Sequence, residues 1–131
     1  MIGIVIVAHG GLAKEYLAAM EHVVGHKPGV KAISISRSDD RSAKQAEINL
    51  AVNQVDEGGG VVVVTDLYGG TPSNLAVNAC KAGARKVIYG ANLPLLIKLA
   101  KSRQLPLDKA SSLACEAGHK YMNSIEPCKN E

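Results

Sequence analysis

Three features of the sequence predict an α/β fold: a doubly wound, mostly parallel four-stranded sheet in the order 2-1-3-4 with helices on both faces. Two runs, Ile2 to Ala8 and Val61 to Thr65, are apolar without alternation, as strands covered on both sides are. Strand-like and helix-like segments alternate along the chain, the pattern that right-handed βαβ crossovers produce. Phe and Trp are absent and only four Tyr occur, so the core falls to Val, Ile, Leu and Ala, which suits layered helices on a sheet. The first and third strands are the most hydrophobic and are placed at the centre. The topological switch point then lies between them.

Each element has its own signal. Ile2 to Ala8 is the first strand and runs directly into His9-Gly10-Gly11. From Leu12 to Val24 the residues Leu12, Tyr16, Ala19, Met20 and Val23 recur at helical spacing, and Gly25 and Pro28 stop the helix. Val30 to Ser36 alternates more, with Ile33 and Ile35 on one face, and reads as an edge strand. Ser38, Asp39 and Asp40 are N-cap candidates for a helix to about Asp56, with an apolar stripe of Ala43, Ala46, Leu50 and Val55. After the buried third strand, Thr71 is expected to cap a helix that opens at Pro72 and runs to about Ala82, with Gly83 as its C-cap. Lys86 to Gly90 is a short fourth strand. A helix follows with Pro94 near its first position, and Pro106 separates it from a last helix, Leu107 to about Asn123, weakened around Gly118. One domain over residues 1–131 is expected, with a loose tail from about residue 124.

Composition removes several function classes. A net charge of +3, scattered along the chain, gives no basic stripe for nucleic acid. The apolar start has no basic residue ahead of it and is too short to span a bilayer, so neither signal peptide nor membrane insertion is expected. Cys80, Cys115 and Cys128 form no Cys-x-x-Cys pair, which argues against a disulfide framework or zinc knuckle and makes the cytoplasm the default compartment. His22 and His26 stand four apart on one helix, a spacing that can grip a metal, but no third ligand is evident and solvated surface histidines are expected. Cys115 and His119 share that spacing and read the same way.

The stretch that carries chemistry is VVVVTDLYGGTPSN, Val61 to Asn74. Asp66 sits where its strand leaves the sheet, the edge at which open α/β sheets bind ligands. The predicted strand order brings His9 to the same edge. A carboxylate accepting from one ring nitrogen holds an imidazole in one tautomer and leaves the other nitrogen as a nucleophile. The helix start beyond Gly69 and Gly70 offers free N–H groups near Thr71, Ser73 and Asn74, together with a positive dipole end, for an anion. A histidine that merely ends a strand is the bland reading of His9. The acid and the Gly-Gly-Thr-Pro turn shift it toward histidine phosphorylation.

At these residues the sequence resembles the mannose-type enzyme IIA family of the phosphoenolpyruvate-dependent sugar phosphotransferase system. The resemblance rests on AHG at Ala8 to Gly10, D-x-x-G-G-T-P-x-N from Asp66 to Asn74, and G-x-N-L-P-L-L from Gly90 to Leu96, and it covers most of the chain. It implies a phosphotransferase with His9 as the phosphorylated histidine, Asp66 as its hydrogen-bonding partner, and the turn of Gly69, Gly70, Thr71, Ser73 and Asn74 as the phosphate cradle. Asn92 and Pro94 match the neighbouring loop. The implied donor is the histidine phosphocarrier protein, the usual acceptor is a IIB protein or domain, and a homodimer is common; no metal and no cofactor are implied. Many members continue through a linker into a IIB domain, whereas this sequence stops at Glu131. That leaves the acceptor open, between a separate permease chain and a regulatory partner.

Three other readings were weighed. A phospho-aspartate receiver domain needs acidic residues after the first strand to hold magnesium, and His9-Gly10-Gly11 stands there. A flavin- or phosphate-binding flavodoxin-like module has only tyrosines to stack on a ring system. The phosphotransferase subunit that feeds dihydroxyacetone kinase shares the histidine logic without the D-x-x-G-G-T-P pattern.

Overall fold

A computed structural model describes residues 1–128. Its elements are β1 (Gly3–His9), α1 (Leu12–Val24), β2 (Val30–Ile35), α2 (Arg41–Val55), β3 (Val61–Thr65), α3 (Gly70–Ala79), β4 (Arg85–Ile88), α4 (Leu93–Lys101) and α5 (Leu107–Lys120). Four strands form one sheet in the order β2-β1-β3-β4. Every pairing is parallel. The expected order and layering are those of the structure.

The two central strands bury side chains on both faces, and their alternation divides the core. Ile4, Ile6 and Ala8 of β1 join Val62 and Val64 of β3 on the face covered by α1, α4 and α5. Val5, Val7, Val61 and Val63 point the other way, beneath α2 and α3. Each fully buried Val or Ile contributes roughly 1.5–3 kcal/mol relative to exposure, so the unbroken apolar runs are what seat these strands centrally. The register Val7↔Thr65 brings the carboxyl ends of β1 and β3 level.

The helices keep their predicted places but not all their predicted faces. In α1 the inward residues are Ala13, Tyr16, Leu17, Met20 and Val24, while Leu12 and Val23 are exposed. In α2 the buried stripe is Ile48, Ala51, Val52 and Val55, and Ala43, Ala46 and Leu50 face outward. Ile48, Val52 and Val55 repeat at the four- and three-residue spacing of one helix face, a bulkier surface than the two alanines and Leu50 present.

Helix ends also differ. α3 opens at Gly70 behind Gly69, with no side-chain cap, because both glycines take left-handed backbone (φ 84° and 82°) and steer the chain into the helix before Thr71. It closes at Cys80 rather than Gly83: Cys80 N–H bonds back to Val77 O at 3.1 Å, and Arg85 Nη1 donates to the Ala79 carbonyl at 3.3 Å. With Arg85 drawn in, β4 starts there and ends at Ile88, short of Gly90. α5 stops at Lys120 instead of reaching Asn123. Its Gly118 is a packing site, since a Cβ there would lie 3.2 Å from Leu95 Cβ. The facing residue Asn92 accepts from Leu95 N–H as the α4 cap and donates from Nδ2 to Gly118 O, so one amide pins both helices. Ser124 to Cys128 carry no helix or strand and are exposed, and residues 129–131, the rest of the tail expected to be loose, lie outside the described residues.

At the amino end of the sheet, the buried Arg103 donates from Nε to Ile2 O at 2.6 Å and from Nη2 to Gly29 O at 3.4 Å. It bridges the turn after α4 to the starts of β1 and β2. Removing the guanidinium takes a charged donor from the Ile2 carbonyl, while Gly29 O keeps the Ile4 N–H at 3.0 Å, and a hydrogen bond from a charged donor is worth about 1.5–3 kcal/mol. Arg103→Met is therefore expected to lower the urea midpoint by about that free energy with an unchanged m-value. A midpoint equal to wild type would remove this role.

Candidate functional site

The site lies at the carboxyl ends of β1 and β3, where parallel sheets present their loops. His9 is the last residue of β1 and Asp66 follows β3 directly. Asp66 Oδ2 accepts two bonds from one residue: the His9 backbone N–H at 3.0 Å and the ring, Nδ1 lying 2.8 Å away. Its other oxygen accepts the Leu67 N–H at 2.9 Å. The Asp66 side chain is 9% exposed and that of His9 50% exposed. Burial pushes the Asp66 carboxyl up, but bonds from the His9 backbone and ring, and from Leu67, outweigh it and hold the group below the usual carboxylate range. An ionised carboxylate only accepts, so in the neutral imidazole Nδ1 carries the proton and Nε2 keeps the free lone pair.

That nitrogen faces the start of α3. A Cβ on Gly70 would stand 4.0 Å from His9 Nε2, so the ring edge lies close over the turn. His9 and Thr71 border one cleft of about 560 Å³, together with Gly10, Ile35, Ser36 and Arg37. Gly69, Ser73 and Asn74 border a neighbouring cleft of about 340 Å³ with Tyr68, Val77 and Asn78. The turn singled out in the sequence therefore has two sides. Gly70 and Thr71 meet the histidine side, and Ser73, itself buried, the other.

Other groups support Asp66 from behind. Thr65 O accepts Ala91 N–H at 3.0 Å, and Thr65 Oγ1 donates to Leu67 O at 3.2 Å, fixing the loop on both sides of the acid. Tyr16 donates its hydroxyl to Ala91 O at 3.0 Å; burial first, and then the Asp66 charge, raise its pKa. Asn92 and Pro94 act through helix α4 and not at the imidazole. At the rim, the exposed rings of Tyr68 and Tyr89 meet with centroids 4.7 Å apart.

Two residues of this neighbourhood were not singled out as site residues in the sequence. Tyr16 read only as part of an apolar stripe, and Arg37 sat in a polar loop. The signal for Arg37 was available: with β2 beside β1 in the sheet, the loop after β2 must pass the loop after β1. The other histidine pair does not converge on a metal. His26 Nδ1 pairs with Glu21 Oε2 at 2.9 Å and His22 is exposed. Among the described residues no group of three or more His, Cys, Asp or Glu is placed to hold an ion, Cys80, Cys115 and Cys128 are free thiols, and no helix is long and apolar enough to cross a membrane.

The family model EIIA-man, described as PTS system fructose IIA component, matches residues 3–113, which include both central strands, His9 and the whole Asp66 turn. The chain belongs to this mannose-type enzyme IIA family of the sugar phosphotransferase system. Among curated relatives it is 27% identical over 128 residues to the PTS system mannose-specific EIIAB component of Escherichia coli K12, covering 95% of this chain and 40% of that protein. It thus spans less than half the length of that relative. The PTS system sorbose-specific EIIA component of Lacticaseibacillus casei is 28% identical over 100 residues, 74% of this chain and 70% of the relative. Among solved structures, the mannose/sorbose specific IIA subunit from Enterococcus faecalis superposes with a TM-score of 0.84 at 26% identity, covering 95% of this chain and 94% of that one. The family's fold is the fold described above.

The depressed pKa of Asp66 has a stability consequence whose sign is fixed. A carboxyl whose folded pKa lies below its unfolded value, ordinarily about 3.9, stabilises the fold above that value and loses the contribution as pH falls through the folded pKa. Asp66→Asn is expected to flatten the acid limb of unfolding free energy against pH below about 4. Urea titrations from neutral pH downward measure it, and parallel acid limbs for the two proteins would contradict the assignment.

Proposed function

We propose that His9 is a phosphoryl carrier, taking phosphate from the histidine phosphocarrier protein onto Nε2 and passing it to a IIB protein in sugar uptake. The observation that carries this reading is the double bond-acceptor role of Asp66 Oδ2, which holds both the backbone and Nδ1 of His9 and leaves Nε2 bare toward Gly70. In attack, the Nε2 lone pair forms the new N–P bond while the donor's N–P bond breaks and its electron pair returns to the donor ring. The Nδ1 proton stays against Asp66, whose charge offsets the cationic character the ring gains. Backbone N–H groups at the start of α3 face the phosphoryl oxygens. The name of the Escherichia coli relative joins A and B components in one protein, of which this chain matches 40%, and that supports a IIB protein as acceptor.

Incubation with phosphoenolpyruvate, enzyme I and the histidine phosphocarrier is expected to label the chain once, in an acid-labile and alkali-stable linkage. His9→Ala is expected to take no label. Asp66→Asn keeps the size of the side chain but loses the charge and one of its two acceptor oxygens, so transfer should slow on the order of a hundredfold. Nitrogen-edited NMR of the phosphorylated protein reads the position of the phosphate. Label on Nδ1, or full-speed transfer in Asp66→Asn, would sink the mechanism.

The same reading includes a homodimer. It is supported by the exposed apolar run of Tyr121, Met122 and Ile125 beyond α5, a surface that favours association over solvation. Sedimentation equilibrium at micromolar concentration is expected to give twice the chain mass of 13.7 kDa, and a single monomeric species would refute it.

A further inference from the structure

The loop that follows β2 forms one wall of the histidine cleft and carries a cation with no partner among the described residues. Ile35, the last residue of β2, is in register with His9, and its carbonyl accepts the Gly10 N–H at 2.8 Å. The chain from Ser36 onward is therefore held beside the His9 loop. Two aspartates follow Arg37 closely, and in an ordinary surface turn either would pair with it. Both are committed elsewhere. Asp39 Oδ2 accepts the Ser36 N–H at 2.7 Å and lies 4.0 Å from Lys44 Nζ, and Asp40 Oδ2 accepts the Ala43 N–H at 2.9 Å as the cap of α2. The Ser36 backbone bond, above all, keeps Asp39 below the usual carboxylate range and so ionised in place. Among the described residues Arg37 has no hydrogen bond and no ion pair, and its side chain borders the cleft of about 560 Å³ shared with His9 and Thr71. Asp66, the acid at the ends of β1 and β3, is engaged by His9.

We propose that Arg37 binds the phosphoryl group carried on His9 Nε2, its guanidinium taking the non-bridging oxygens from the side of the cleft opposite α3. This rests on the reading of His9 as the phosphoryl acceptor. A guanidinium presents a planar fork of donors that matches two oxygens of a phosphoryl group, whereas an ammonium offers a point charge. During transfer the donor's N–P bond breaks with its electron pair returning to the donor, the Nε2–P bond forms, and the Nδ1 proton remains on His9. The oxygens keep their negative charge throughout. Arg37 meets that charge from the β2 loop and the α3 N–H groups meet it from the opposite wall, so the carrier holds its cargo between two positive ends.

The test uses the full chain and two donors, phosphoramidate as a small one and the histidine phosphocarrier as a protein one. Arg37 is exposed and bonds nothing among the described residues, so its variants keep the structure. Arg37→Ala is expected to take phosphate from phosphoramidate roughly tenfold more slowly or worse, the loss of one charged hydrogen bond, and to shift the phosphorus-31 resonance of the phosphohistidine. Arg37→Lys should recover part of the rate. If Arg37→Ala matches wild type with phosphoramidate in both rate and resonance, the proposal is overturned, even where transfer from the protein donor slows, since that pattern puts Arg37 against the donor's surface. His9→Ala is the control for the reading beneath: wild-type labelling there removes the acceptor and not merely the contact.

Discussion

One carboxylate oxygen organises this edge of the molecule. Asp66 Oδ2 binds both the backbone N–H and the ring of His9, and two bonds to one atom set the ring's angle relative to its own main chain. A single contact to Nδ1 would fix the tautomer while leaving the ring free to swing. The second removes that freedom. The geometry is reachable only because β1 and β3 are neighbours in parallel register, with Val7 opposite Thr65, so that the residue leaving one strand stands beside the end of the other. Sheet order, buried valines and imidazole orientation are therefore one dependency.

The rest of the fold can be read as support for that edge. Ala91, on the loop after β4, bonds Thr65 through its N–H and Tyr16 through its carbonyl, which ties the root of the Asp66 loop to α1. Asn92 then locks α4 to α5 through Gly118. Most of this scaffolding is backbone or amide chemistry and adds no net charge near the imidazole.

How far the sequence reveals this depends on the kind of signal involved. Continuous β-branched runs identified the buried strands because few other local structures accommodate them, and from strand order followed the meeting of His9 with Asp66, residues far apart in the chain. The phases of α1 and α2 were harder. Alanine is equally at home on either face of a helix, so stripes built on Ala19, Ala43 and Ala46 carry little information, and Leu50 points outward although it is apolar. The opening of α3 lies two residues before the expected one because a Thr-Pro pair mimics a capped start, while two left-handed glycines make the turn without a cap. The division of Gly69 to Asn74 between two clefts has no sequence signal. It arises from how a single helical turn presents successive residues around its circumference.

The aromatic pair at the rim has a spectroscopic side. The chain contains no tryptophan, so its ultraviolet emission comes from tyrosine alone, and Tyr68 and Tyr89 supply two of the four emitters within touching distance of each other. Both rings are largely in water. A macromolecule that seats on this pair would change its quenching and, if it carries an indole, draw excitation from it. Docking of that kind would be readable from the protein's own emission, with no label attached.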